Sequence, residues 1–446
     1  MITLGHFVRR GAREHSKKTA IQYAGRQYTF SEINERVNRL SNALLNIGVK
    51  PGDRLAILLQ NCNEWAEADL SCMKTGFVRV GLNARLHVKE HEYVLNDCKA
   101  NTLIAGRDFI DGICEIRPNL KYLEKIVCIG ESTADVIDYN QLLDSATADE
   151  PPSELDEDDL YRIAYTSGTT GKPKGVLLTH KAAKHTMLNL LMEMPIARDD
   201  KMLHIAPLSH ASGSLVLPHW FRGATNVILD RFDLVKMLSM IQEERITRTM
   251  MVPAMIIRMI NAPELNDFDL SSLRSITYGA APMAPDKIRQ AVDRFGPIFS
   301  QSYGQMEAPI TISILSVEDH EEACREGASE KLLSVGKPYP DAEVKVVDER
   351  NRPLPPREIG EIVVRSDHQM IGYLNRDDET RSVLKDGWIH TKDMGYFDES
   401  GYLYLVDRKT DMIISGGLNI YPKEVEDVIN SHSDVQEACV IGVPDE

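Results

Sequence analysis

Apolar positions near the start of the chain recur at helical spacing and then give way to short unbroken runs. Ile33, Val37, Leu40, Leu44 and Ile47 keep to one face of a helix, with Ser31 placed to cap it and Gly48 to stop it. Pro51-Gly52-Asp53 then turns the chain into the run Leu55 to Leu59, which predicts a buried strand. Helix-length and strand-length segments keep alternating to about residue 310, the pattern of an α/β protein with a mostly parallel sheet. Beyond about residue 330 the period changes. Glu343 to Val347, Glu361 to Val364 and Tyr402 to Val406 alternate over short stretches, separated by turn clusters such as Asp348-Glu349-Arg350-Asn351 and Asp398-Glu399-Ser400-Gly401. That texture predicts an antiparallel β subdomain.

Composition narrows the function classes. A chain of 446 residues is long enough to make two or more lobes the default, and 43% hydrophobic residues supply ample core. With 51 basic against 67 acidic residues the net charge is −16, which argues against a general nucleic-acid or anionic-membrane surface. An anionic ligand would therefore need a local positive pocket. The seven cysteines are scattered without C-x-x-C spacing and read as reduced thiols. No stretch of about 18 apolar residues and no apolar leader stand out, so no membrane span is expected and a cytoplasmic setting is. The acidic run Glu154 to Asp159 reads as a solvated lead-in to a strand.

The most informative segment is Tyr165-Thr-Ser-Gly-Thr-Thr-Gly-Lys-Pro-Lys-Gly175, set between the predicted strands Leu160 to Tyr165 and Val176 to Leu178. A helix is expected from about Thr179, with Ala183, Met187, Leu190, Leu191 and Met194 on one face. Glycines let backbone N–H groups turn inward, the hydroxyls of Thr166, Ser167, Thr169 and Thr170 donate, and Lys172 and Lys174 neutralise charge, so the loop suits phosphate. The same composition also suits a plain surface loop. It is not a P-loop of the G-x-x-x-x-G-K-[ST] kind, because neither the spacing nor Pro173 allows a helix to open directly from it.

This eleven-residue segment resembles the phosphate loop of the adenylate-forming superfamily, which includes AMP-forming acyl-CoA synthetases, and the likeness runs in order from about residue 20 to the last residue. Tyr278-Gly279-Ala280-Ala281-Pro282 resembles the family's small-residue segment beside the adenine. Ser302-Tyr303-Gly304-Gln305-Met306-Glu307 resembles its Y-G-x-T-E signature, which implies that Tyr303 stacks on adenine and Glu307 helps to hold Mg²⁺. Met306 stands where the family usually has threonine and cannot donate to the α-phosphate, a loss worth roughly 1.5–3 kcal/mol. Asp393 matches the family's aspartate on the ribose hydroxyls, and Arg408 the arginine near the same ribose. Pro207-Leu-Ser-His210 resembles a segment bordering the acyl pocket, with His210 as gate or lining and Ser212 and Gly213 leaving space; a structural histidine is the alternative.

The resemblance implies a domain plan as well. Residues 1–408 form an AMP-binding N-terminal domain of two α/β subdomains, to about residue 330, plus a β-barrel-like subdomain over 331–408. Residues 409–446 hold a hinge at Thr410, the glycines Gly416 and Gly417 that approach the thiol acceptor, and the start of a small α/β C-terminal domain. Because Val440-Ile-Gly-Val-Pro-Asp-Glu446 opens that domain in relatives, the chain is expected to be cut short, without the family's C-terminal lysine. The implied activity is ATP-dependent activation of a carboxylic acid, medium- or long-chain fatty acids first, to an acyl-adenylate, followed by transfer to coenzyme A. Catalytic roles fall to Thr166, Lys174 and Glu307, with ATP, Mg²⁺ and coenzyme A as cofactor and co-substrates. An aryl acid, a carrier-protein acceptor and a weakly catalytic nucleotide- or acyl-binding protein stay open as alternatives, as does a homo-oligomer.

Overall fold

The computed structural model describes residues 2–130, 136–166, 172–326, 330–408, 413–415, 418–420, 422–430, 435 and 438–443. The chain is α/β and divides into two compact units, Met1–Met250 with Met370–Asp377, and Met251–Gln369 with Asp378–Glu446. The change of texture near residue 330 falls inside the second unit, where the antiparallel sheet begins.

In the first unit one sheet runs in the order Gly372–Tyr373, Lys174–Thr179, Leu160–Thr166, Val78–Gly81, Arg54–Leu58, Thr102–Gly106, Lys125–Ile129 and Ile137–Asp138. It is parallel from Leu160–Thr166 through Ile137–Asp138. The glycine-rich segment instead joins an antiparallel pair, Leu160–Thr166 with Lys174–Thr179. Parallel neighbours need a crossover of a dozen or more residues, and the short link between these strands permits only a hairpin. A second run of strands carries Arg248–Met251, Lys201–His204, Thr225–Ile228, Thr19–Tyr23 and Arg26–Thr29.

The predicted first helix spans Phe30–Asn46 and buries Ile33, Val37, Leu40 and Leu44. Its cap is Thr29 and not Ser31. Thr29 Oγ1 accepts from the Glu32 amide at 3.2 Å while Glu32 Oε2 accepts from the Thr29 amide at 2.7 Å, a reciprocal box that Ser31 has no partner to form. This helix packs on Asn63–Thr75, in a core that includes Phe30, Trp65 and Trp220. Lys74 is fully buried there, and its ammonium donates to Asn34 Oδ1 (2.8 Å), Asn38 Oδ1 (2.7 Å) and Glu150 Oε2 (2.9 Å), so its charge is answered. The helix after the hairpin spans His180–Glu193 and is capped by Thr179, whose side chain accepts from the Ala182 amide.

In the second unit Ser275–Gly279 and Phe299–Tyr303 run parallel, followed antiparallel by Ser313–Leu315 and Lys337–Pro338. The predicted antiparallel sheet contains Ala342–Val347, Gly360–Ser366, Trp388–Phe397 and Leu384–Lys385, with Leu403–Arg408 pairing Trp388–Phe397. Val346, Ile362, Val364 and Leu403 from this sheet pack with Tyr303 and Ile312. Among the described residues no helix is long and apolar enough to cross a membrane.

Two fully buried histidines make the fold sensitive to acid. His204 lies between Ser212 Oγ (2.9 Å from Nδ1) and Asn226 Oδ1 (2.9 Å from Nε2). Asn226 Oδ1 only accepts, so Nε2 carries the hydrogen and Nδ1 accepts from the serine in the neutral ring. His320 sits between the Ser316 carbonyl (2.7 Å) and the Tyr278 hydroxyl (2.8 Å). Burial holds both rings down at about 4, against an ordinary value near 6.5. The folded state thus binds fewer protons than the unfolded chain, and the stability present above pH ~6.5 is lost as pH falls towards ~4. Denaturation midpoints are expected to fall progressively from pH ~7 to ~4.5, each histidine contributing up to ~1.4 kcal/mol per pH unit. Midpoints that stay level over that range would contradict neutral, buried rings.

Candidate active site

The second unit holds a cavity of about 250 Å³ beyond the carboxyl ends of Ser275–Gly279 and Phe299–Tyr303. Ligands favour that end of parallel strands, where loops diverge and backbone groups lie open. Gly279, Ala280, Ala281 and Pro282 form one side, Tyr303, Gly304 and Gln305 another, and Leu332, Leu333, Val335 and Leu405 add an apolar border. Asp393 and Asp407 supply carboxylates.

Close backbone approach explains the small residues. A Cβ on Gly279 would lie 2.3 Å from the Ser302 carbonyl oxygen, and one on Gly304 would lie 2.4 Å from the Ile310 amide nitrogen. Three residues near the cavity hold left-handed backbone without being glycine: Ala280 (φ 69°), Ile310 (φ 62°) and Lys392 (φ 63°). Each costs on the order of 1–3 kcal/mol, and the β-branched Ile310 is the most unusual. The strain at Ile310 is held in place by Ser302 Oγ, which donates to the Ile310 carbonyl at 2.8 Å.

The polar centre is Asp393, only 8% exposed. Its Oδ2 accepts from the Tyr303 hydroxyl at 2.5 Å and from Gln305 Nε2 at 2.6 Å. Gln305 Nε2 also reaches the Thr391 carbonyl at 2.9 Å, and the Asp393 amide donates to Thr391 Oγ1 at 3.1 Å. Asp393 faces Arg408 across the strand pair. Two donors on one carboxylate oxygen tie Asp393 to the hydroxyl end of Tyr303, which lines the cavity. Gln305 is a site residue that motif reading passed over. Its spacing of two from Tyr303, which puts side chains on one face of extended backbone, was the available signal. Glu307 is half-buried in the same connection and lies outside the cavity lining.

The first unit holds the glycine-rich hairpin. Thr166 and Lys174 face each other as its last paired positions, while Ser167, Gly168, Thr169, Thr170 and Gly171 lie outside the described residues, as do Thr410, Gly416 and Gly417. The base of the hairpin is clamped. Tyr93 Oη donates to the Pro173 carbonyl (3.1 Å) and accepts from Arg376 Nη2 (2.9 Å), and Tyr165 Oη donates to Asp97 Oδ2 (2.6 Å). Lys172 and Lys174 each sit 5.6 Å from an aromatic centroid, those of Tyr93 and Tyr373. His210 is half-buried, with Nδ1 2.8 Å from Ser209 Oγ. Burial, then the charges of Arg79 and Arg85, lower its pKa and favour the neutral ring. Ser212 is turned to His204, and a Cβ on Gly213 would lie 2.0 Å from the Leu208 carbonyl oxygen.

Residues 8–374 match the family described as AMP-binding enzyme. The chain belongs to the AMP-binding enzyme family. It is 34% identical to the medium/long-chain-fatty-acid–CoA ligase FadD8 of Mycobacterium tuberculosis, over 99% of this chain and 77% of that protein. It is 37% identical to a feruloyl-CoA synthase of an Amycolatopsis species, over 99% of this chain and 86% of that protein. Its fold matches the anthranilate CoA ligase AuaEII, solved in complex with anthranoyl-AMP, with a TM-score of 0.91 and 27% identity over 99% of this chain and 85% of that one. In this AMP-binding enzyme the family match ends at residue 374, before Asp393, so the place of Asp393 in the cavity rests on its own geometry.

The close approach at Gly279 gives a direct check. Gly279→Ala forces the Gly279 and Ser302 backbones apart and is expected to weaken AMP binding about tenfold or more by calorimetry. Unchanged affinity in a folded variant would show that this wall does not contact the nucleotide.

Proposed function

We propose that this AMP-binding enzyme is an adenylate-forming acid–coenzyme A ligase. The observation that carries the reading is the cavity in which small residues, the Tyr303 ring and the Asp393 carboxylate converge. A flat purine fits against the small residues Gly279 to Ala281, with Tyr303 beside it. A vicinal diol suits a buried carboxylate, since both hydroxyls can donate to it. Asp393 is assigned to the ribose, with Arg408 near it. The hairpin is assigned to the phosphates: Thr166 and the segment 167–171 donate, and Lys172 and Lys174 neutralise charge.

A carboxylate is a poor electrophile, so one of its oxygens first attacks the α-phosphorus of ATP and pyrophosphate leaves. The thiol of coenzyme A then attacks the acyl carbon and AMP departs as the leaving group, with the thiol proton passing to solvent. No protein nucleophile is required, and positioning with charge neutralisation accounts for the acceleration. Glu307 offers the oxygen donor that Mg²⁺ prefers, and Mg²⁺ when bound would neutralise the phosphates. Gly416 and Gly417 are assigned to the thiol side and His210 to the acid side; Ser212, bonded to His204, and Gly213, packed on the Leu208 carbonyl, do not leave the space expected of them. A cytoplasmic setting, where ATP and coenzyme A are at hand, belongs to the same proposal.

For the acid, a medium- or long-chain fatty acid is the first reading, supported by the relative that is a fatty-acid–CoA ligase at 34% identity. An aryl acid is the second, favoured by the feruloyl-CoA synthase at 37%. Hydroxamate trapping with ATP over a panel of straight-chain and aromatic acids separates them. Product with medium and long straight-chain acids is expected. A peak on a cinnamic-type acid would overturn the fatty-acyl reading, and ATP binding without hydroxamate from any acid would overturn the ligase reading.

A further inference from the structure

The core of the first unit contains an excess of positive charge that the ligase chemistry does not use. Val78–Gly81 and Leu160–Thr166 run in parallel with Arg79 directly opposite Arg162. Both side chains are in the interior, the residues being 3% and 7% exposed. Among the described residues one carboxylate, Asp69, makes an ion pair with either arginine: its Oδ2 lies 3.2 Å from Arg79 Nη1, and its other oxygen accepts from the Tyr161 hydroxyl. Arg79 also lies over the rings of Trp65 (5.2 Å) and Tyr161 (5.4 Å). Arg162 has much less. Its Nη1 donates to Ser214 Oγ at 3.3 Å, and its Nε, like that of Arg79, is buried without a hydrogen-bond partner.

Two guanidiniums against one carboxylate leave a net positive charge in a low-dielectric interior, where an unanswered ion is unfavourable. Deprotonation does not remove it. Burial and the neighbouring Arg79 charge bring Arg162 down to about 10, still cationic at neutral pH. What the interior offers instead is space. Arg79, Arg162, Gly213, Ser214, Met187 and Leu217 are among the residues lining a cavity of about 30 Å³. A single water needs roughly 10–15 Å³ of occupied volume, so the cavity has room for one compact ion.

We propose that this cavity binds a compact monovalent anion of the halide class, held by the guanidiniums of Arg79 and Arg162 and by the Ser214 hydroxyl. The anion completes the charge balance of the core and ties the strand Leu160–Thr166 to the 3-10 turn Ala211–Leu215. A neutral water in the same place would satisfy the N–H donors and leave the net charge unanswered. The inference is independent of the proposed ligase activity.

The test is thermal unfolding at constant ionic strength, with sodium gluconate, whose anion is too large to enter, replaced stepwise by sodium chloride or bromide. The wild-type midpoint is expected to rise by about 2–4 °C along a saturating curve. Arg162→Met should lose that rise, while Arg365→Met, a change at an exposed arginine of the other unit, should keep it. Superimposable curves in gluconate and chloride, or an undiminished rise in Arg162→Met, would overturn the proposal. Should Arg162→Met fail to fold, wild-type crystals grown in bromide decide the matter. An anomalous peak within hydrogen-bond distance of the Arg79 and Arg162 nitrogens supports the site, and a water or no density there overturns it.

Discussion

The second unit is organised around a single carboxylate oxygen. Asp393 Oδ2 receives a hydroxyl from Tyr303 and an amide from Gln305, and both donors come from the end of one strand while the acceptor lies on another. A buried carboxylate must find hydrogen-bond donors, and these two residues supply them. Once they are in place, the Tyr303 ring is fixed at its polar edge and the connection from Gly304 to Ile312 has little freedom left. The cavity follows from that constraint.

Backbone strain belongs to the same arrangement. Ala280, Ile310 and Lys392 all adopt left-handed conformations close in sequence to cavity residues, and none has the glycine that would make the conformation easy. Such strain persists only where surrounding contacts over-determine it. Here the Ser302 hydrogen bond, the close approach at Gly304 and the paired strand beneath Asp393 do so. Gly279 and Gly304 are small for steric reasons before any ligand is considered, which makes the cavity wall a property of the fold.

Much of this was legible in the sequence because it rests on local rules. The first helix, the strands flanking the glycine-rich segment and the switch to antiparallel strands all follow from period and turn chemistry. The cap moved from Ser31 to Thr29 because a capping box is a relation between two residues, and Glu32 completes it only with Thr29. Gln305 left only its spacing from Tyr303 as a signal, because the partner that makes it a site residue is 88 positions away. The facing pair Arg79 and Arg162 was equally hidden, since a cation in an otherwise apolar strand reads as exposed until the neighbouring strand is known. Long-range polar pairing leaves no periodic trace, and that is where sequence reading stopped.

On the proposed reading the Asp393 carboxylate holds the ribose of a bound nucleotide. Calorimetric titration with AMP and with 2′,3′-dideoxy-AMP tests it most directly. The dideoxy compound is expected to bind the wild type at least about tenfold more weakly, for loss of hydrogen bonds to the carboxylate, and Asp393→Ala to bind both compounds with similar, weak affinity. Equal affinity of the wild type for the two nucleotides would contradict it.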